Sequence, residues 1–356
     1  TVYNPDGTVD PFLSCRGILM TKESAGNTEI LFANPNPGDY GAIDRWSIPR
    51  SVPGAGSYGV TQSLVDAFFM ENGLSPILGY ENNDYSKPII NPASGYTETG
   101  FSTEPEVRNT GWQECQGNVN PGQVTMAGAY NMYCHREARF YIAVLYNRAW
   151  FSKTAEGGRQ TMFLKGEQDG GISMDAPRNG YLQNKLAHPD RDNVNVTFPY
   201  RPAVNYRLAE AYLNYAEALN ECDPGNPDIM KYVNLIRVRA GIPEYGTGAG
   251  MITEPQGQEE VRQSIYKERR VELCCESSIR YMDIRRLKIG EEILNRDFYG
   301  MNYFGSKLSD DKNDPDAYFV RTRYQTRSFQ KKNYWFPVPQ SEMDINPNLV
   351  QNPFWK

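Results

Sequence analysis

The sequence has only two histidines, His135 and His188, far apart and in unlike contexts. A His-centred triad or a zinc centre is therefore not expected. No G-x-S-x-G elbow, H-E-x-x-H helix or Gly-rich phosphate loop appears. The six cysteines, Cys15, Cys115, Cys134, Cys222, Cys274 and Cys275, form no C-x-x-C pair, so zinc-ligand spacing is absent too. Their even number permits disulfides, with Cys115–Cys134 the first pair to test, and burial as free thiols is the default. No window approaches the ~18 consecutive apolar residues of a membrane-spanning helix. Lys plus Arg is 37 against 43 Asp plus Glu, a net charge of −6 with no basic run. That balance argues against a nucleic-acid footprint or a polybasic membrane patch. A glycosidase needs just two carboxylates, so 43 acids leave that chemistry open.

Aromatic residues are plentiful: 24 Tyr, 15 Phe and 5 Trp. Many stand beside Asn, Gly and Pro in segments that read as loops. A ring on a loop offers a flat apolar face and, for Tyr and Trp, a polar edge, which suits sugar rings and peptide side chains alike. Pinning the loop to the body is the ordinary explanation for any single ring. Trp46, Tyr58, Tyr80, Tyr85, Tyr96 and Trp112 are the candidates for ligand stacking, two or three of them converging. Asn82, Asn83 and Asp84 are their candidate hydrogen-bonding neighbours.

Along the chain, Thr61 is placed to cap a short helix whose Leu64, Val65, Phe68 and Phe69 share a face, with Asn72-Gly73 ending it. Residues 74–128 show no sustained period, and a run of that length inside a domain is usually functional. Ala138 to Phe151 is apolar and rich in β-branched and aromatic residues, which predicts a strand. From Tyr206 the pattern becomes helical, with Leu208, Tyr212, Tyr215 and Leu219 predicted to share a face and the alanines between them to permit close helix approach. Asp223-Pro224-Gly225 ends that helix. Asn226 as N-cap and Pro227 start the next, and Gly241 caps it before Pro243. Two antiparallel helices with so short a joint form an αα-hairpin, the unit of helical solenoids. At least three such units are normally needed for stability, so further helices are expected outside this chain. The opening Thr1-Val2-Tyr3 carries no initiator Met, signal peptide or lipid-attachment motif, which fits a removed targeting segment or a fragment.

A third helix is predicted from Gln258 to Glu276, dense in charge: Glu268, Arg269, Arg270, Glu272 and Glu276, with Arg280 four residues beyond Glu276. The run Ser309 to Asp316 holds oxygen ligands that a calcium ion would accept. It lacks the Gly and terminal Glu of an EF-hand loop, so an exposed acidic loop is the simpler reading.

Several blocks resemble one family. Arg207 to Asn220 (RLAEAYLNYAEALN), Asn234 to Pro243 (NLIRVRAGIP), Lys267 to Leu273 (KERRVEL) with Glu276, Arg280, Asp283 and Arg285-Arg286, Tyr334 to Glu342 (YWFPVPQSE) and Asn346 to Pro353 are similar to the SusD/RagB family, in family order. Thr61 to Phe68 and Arg139-Phe140-Tyr141 also fit. The resemblance implies a mainly α fold: tetratricopeptide-like hairpins plus an irregular loop-rich part with short strands. It implies a loop-rich ligand-binding part over residues 1–204, a hairpin and ion-pair helix over 205–290, and a C-terminal irregular segment over 291–356, within one unit. It further implies a non-catalytic outer-membrane lipoprotein at the cell surface that captures glycan or peptide for a SusC-like TonB-dependent transporter. Its lipid anchor and early repeats are absent here, and no cofactor is implied. On that template Glu268, Arg269, Arg270, Glu272, Glu276 and Arg280 are structural ion-pair residues fastening the repeat side to the loops. A protein–protein adaptor and a glycoside hydrolase are the alternatives.

Overall fold

The computed structural model describes residues 1–34, 40–113, 122–154, 157–171, 175–192, 195, 197, 199–276 and 278–355. Asp10 starts the first helix, α1 (Pro11–Met20), by accepting the Leu13 N–H at 3.0 Å, with Pro11 at the first helical position. The same carboxylate accepts Thr110 Oγ1 at 2.7 Å and the Gly111 N–H at 2.8 Å, so one residue caps a helix and tethers a distant loop. Next come α2 (Tyr40–Ser47) and the single turn α3 (Gln62–Val65), whose N-cap is Thr61. Val65, Phe68 and Phe69 are buried.

The described residues of 74–128 form short pieces. Ile77–Tyr80 pairs antiparallel with Pro88–Ile90, and Glu106–Val107 pairs with Gln123–Thr125. All sheets among the described residues are two-stranded. Edges are therefore short, and packing comes from rings rather than ladders.

The strand predicted from Ala138 to Phe151 is instead a helix, α4 (Ala138–Ala143), followed by the strands Val144–Leu145 and Trp150–Thr154. All six residues of α4 are buried, including Arg139. β-propensity measures fit to a half-buried pleated surface. A segment enclosed on every side escapes that rule, and the ion pairs of Arg139 described below hold it against the repeat side.

The hairpin is α5 (Leu208–Cys222) and α6 (Pro227–Ala240), with Asn226 capping the Asp228 N–H at 3.0 Å and Gly241 in the left-handed region at φ 69°. A Cβ on Gly241 would also lie 2.6 Å from the Pro11 ring, so α1 packs directly over this cap. The buried stripe of α5 is Ala209, Leu213, Ala216 and Asn220, one position round from the predicted stripe. Small residues win the interface because they let the backbones approach. Tyr212 and Tyr215 lie at its margin, each about 5 Å from the Tyr232 ring.

α7 (Gly257–Glu272) packs on α5 and ends earlier than its sequence pattern predicts, at the Leu273 cap. After it come α8 (Ile279–Arg286), α9 (Gly290–Leu294), a strand pair of Asp297–Gly300 with Thr322–Thr326, and α10 (Gln340–Ile345). Apolar burial falls into two clusters. The larger, around Phe68, Tyr133, Phe140 and Phe319, serves the loop-rich part. The smaller, around Leu213, Val233 and Ile265, serves the hairpin and α7. The architecture is mainly α, a helical hairpin side joined to an irregular part with short strands. Among the described residues no helix is long and apolar enough to cross a membrane.

Candidate functional site

Two groups of arginines meet α7. The first is a brace between the hairpin side and the loops. Glu268 accepts Arg139 at 2.6 Å and Arg237 at 3.2 Å. Glu272 pairs with Arg139 at 2.9 Å, Arg207 at 2.8 Å and Arg239. Glu276 pairs with Arg207 at 2.7 Å and with Lys185, while Glu29 binds Arg207 and Arg239, and Glu137 binds Arg139. Five cations thus face five carboxylates in a mostly buried network. Burial alone would raise the Glu272 carboxyl, but Arg239, Arg207 and Arg139 overcome it and hold the group well below the usual carboxylate range. Glu276 is lowered likewise, burial being outweighed by Arg207 and Lys185. Glu137 goes the other way, burial outweighing Arg139. Arg269 extends the brace to Asp283 at 2.8 Å.

Arg280 does not join it. The predicted partner, Glu276, is taken by Arg207 and Lys185, and the chain between Glu276 and Arg280 is not continuous helix. The i,i+4 pair therefore never forms. Arg280 instead lines a cavity of about 250 Å³ with Arg270, Arg296 and Arg327, beside Leu64, Ile284 and Phe298. Arg270 also ties α7 to the loops, donating to the Ser63 carbonyl at 2.6 Å. An adjoining cavity of about 390 Å³ shares Gly59 and Arg327 with the first, and Ser57, Arg178, Tyr324 and Gln325 also line it. Neither lining includes an Asp, Glu or His among the described residues.

Behind the lining residue Arg296 stands a stack of rings and guanidiniums. Tyr80 and Tyr85 lie 4.1 Å apart between ring centroids. The Arg296 guanidinium is 3.2 Å from the Tyr85 centroid and 5.2 Å from that of Phe298, and Arg327 is 4.1 Å from Phe298. Such contacts hold a cation in place without neutralising it. The Tyr80 hydroxyl donates to Asp66 at 2.7 Å, and Asp66 with Glu98 also binds Arg321, which fixes the stack to the core. Burial and the neighbouring Arg270 push the Arg280 guanidinium down to about 10. Burial, with a further lowering by Arg327, does the same to Arg296, also to about 10.

The other predicted ligand residues divide. Asn82 and Asn83 are exposed at the tip beyond Tyr80, both in the left-handed region at φ 49° and 59°. Asp84 turns inward on its own loop, accepting Ser86 Oγ at 2.6 Å and pairing with Lys87. Trp46 and Tyr58 form a separate pair 5.0 Å apart, 40% and 38% exposed, beside the second cavity in sequence but not lining it. Tyr96 and Trp112, each 5% exposed, are core rings: Trp112 stacks on Phe12 at 5.3 Å, and Tyr96 donates to Glu98. Neither has a face to offer a ligand. Of the six rings, none lines either cavity among the described residues; Tyr80 and Tyr85 stand behind the lining residue Arg296. Arg296, Phe298, Tyr324 and Arg327 were not anticipated, since they come more than 200 residues later in a segment without a motif.

The metal readings fare differently from one another. In the acidic run, Lys307 pairs with Asp314 at 2.9 Å and Asp316 at 3.4 Å, so a cation is already present. Glu71, Glu106 and His135 do gather their ligand atoms, but Arg108 bridges the two carboxylates. Cys115 lies outside the described residues, and Cys134 is a buried free thiol.

The model of the SusD family matches residues 25–355. SusD-like protein P2 of Formosa agariphila is 33% identical over 146 residues, 41% of this chain and 24% of that protein. A solved SusD-like protein from Bacteroides fragilis is 25% identical with a TM-score of 0.66, covering 98% of this chain and 58% of its own. A SusD-like carbohydrate-binding protein from the same species has the same fold at 20% identity, TM-score 0.66, over 97% of this chain and 58% of its own. The chain thus spans little more than half the length of these solved relatives and about a quarter of the curated one.

Proposed function

The chain belongs to the SusD family, and from that premise we propose that it captures an oligosaccharide at the bacterial cell surface without catalysis. In this reading the sugar chain is passed to a SusC-like TonB-dependent transporter by a lipid-anchored outer-membrane protein. The observation that carries it is the double cleft, which has ring faces and hydrogen-bond donors but no carboxylate pair among its described lining residues. Glycoside hydrolysis needs two carboxyl groups flanking the bond, and binding needs apolar faces with a few fixed polar groups. Tyr324 supplies a ring for a pyranose face. Ser57, Gln325 and Arg178 supply polar groups for hydroxyls. The brace is then scaffold, holding the loop-rich wall against the hairpin.

A glycan array and a peptide library probed in parallel with this chain test the reading. Oligosaccharide binding that Tyr324→Ala weakens at least ten-fold, without release of reducing ends, is the expected result. Peptide binding with no glycan signal would replace it by the RagB-like alternative.

A further inference from the structure

Unlike the brace, the cleft gathers four arginines, Arg270, Arg280, Arg296 and Arg327, none of which forms an ion pair among the described residues, and Asp283 offsets the charge of Arg280 without an ion-pair contact. Arg139, Arg207, Arg237, Arg239, Arg269 and Arg321 each meet carboxylates. In the cleft, Arg280 has no hydrogen bond or ion pair among the described residues, and Nε and Nη1 of Arg296 are buried without a partner. Buried guanidinium groups without an anion are costly, so an uncompensated set points to an anion that arrives from outside. The lowered values of Arg280 and Arg296 express the same cost. Position is nonetheless fixed, because Tyr85 and Phe298 pack on Arg296 and Phe298 on Arg327. A preset guanidinium fork matches a carboxylate or sulfate oxygen pair, and little side-chain freedom is lost on binding.

We propose that this pocket receives an oxyanion substituent of a charged oligosaccharide, a uronate carboxylate or a sulfate ester, with Arg280 and Arg296 as its principal donors. The proposal rests on the glycan-capture reading and narrows its substrate class. Arg327, shared by both cavities, joins the charged unit in the smaller one to the rest of the sugar chain in the larger. The two anion sources differ in shape, planar against tetrahedral, and the pocket's preference between them is read out by the test.

Calorimetric titration of this chain with six probes provides that test: a uronic-acid oligosaccharide, its carboxyl-reduced counterpart, a sulfated oligosaccharide, its desulfated counterpart, free glucuronate and inorganic sulfate. At least one charged probe should bind ten-fold or more tighter than its neutral counterpart. Arg280→Gln/Arg296→Gln should erase that margin, weakening the charged probe at least ten-fold more than its neutral counterpart, and Arg327→Gln should narrow it in a second background. Equal affinity for charged and neutral probes would overturn the anion site while the capture reading survives. Equal loss of both in folded variants would also overturn it, assigning the arginines to structure. Binding of free glucuronate or inorganic sulfate that the double variant abolishes, with no oligosaccharide bound, would keep the anion site and reject glycan capture. Absence of binding by every probe, the free anions included, would overturn the anion site.

Discussion

Two residues apart on α7, Glu272 and Arg270 face different worlds. At 3.6 residues per turn that step rotates the side chain by about 200°. On one side the buried brace matches five cations to five carboxylates and ties α4, the N-cap of α5, α6 and the loops together. On the other, arginines line an open cleft with rings but no carboxylate among the described lining residues. Same residue type, opposite economy: the brace spends its hydrogen bonds internally, and the cleft leaves them for a ligand. The difference shows that a guanidinium's role is decided by whether its counter-charge belongs to the chain.

The largest blow to the brace is Glu272→Ala. It takes one carboxylate from each of Arg139, Arg207 and Arg239 in a buried site, and removal of one partner from such a network costs about 3–5 kcal/mol. Urea unfolding should show that loss, and a change near that of a surface pair would break the distinction. Acid should act in the same place. Glu272 and Glu276 are held below their unfolded value of about 4.3, so their contribution is full above that pH. It is lost as pH falls from about 4 through their lower folded values. Glu137, raised by burial, has the opposite sign and offsets part of the loss. A stability curve flat from pH 5 to pH 3 would contradict this.

A smaller effect sharpens the cleft side. Tyr85→Ala removes the ring under Arg296, a contact worth about 0.5–2 kcal/mol, and should weaken glycan binding more than folding. Paired titration and thermal unfolding would show it. Smallest of all is Arg262→Ala, whose pairs with Glu221 and Glu259 are on the surface. Its cost should be the smallest of these changes, close to the scatter of the same urea assay.

Helix starts and stops were legible because their chemistry is local: Thr61, Asn226, Pro227 and Gly241 do in the structure what their residue types predict. The family was legible for a similar reason, since its motifs are contiguous blocks. α4 was not, because its helix is decided by burial on all sides rather than by its own propensity. The cleft itself was not legible, since no predicted ligand residue lines it among the described residues. Tyr80 and Tyr85 stood out as loop aromatics and stand behind Arg296, whereas Tyr96 and Trp112 carry the same outward marks and are core. Nothing in a ring's sequence neighbours says which way it turns. Arg280 misled for a subtler reason: i,i+4 spacing implies a pair only if the helix is unbroken, and α7 ends at Glu272.

The most direct measurement compares the urea stability of Arg280→Gln/Arg296→Gln with that of Glu272→Ala. If the cleft arginines carry uncompensated charge kept for a ligand, the double variant should be as stable as the parent or more so, while Glu272→Ala loses several kcal/mol. A double variant as destabilised as Glu272→Ala would show that both arginine groups are scaffold, and would contradict the account.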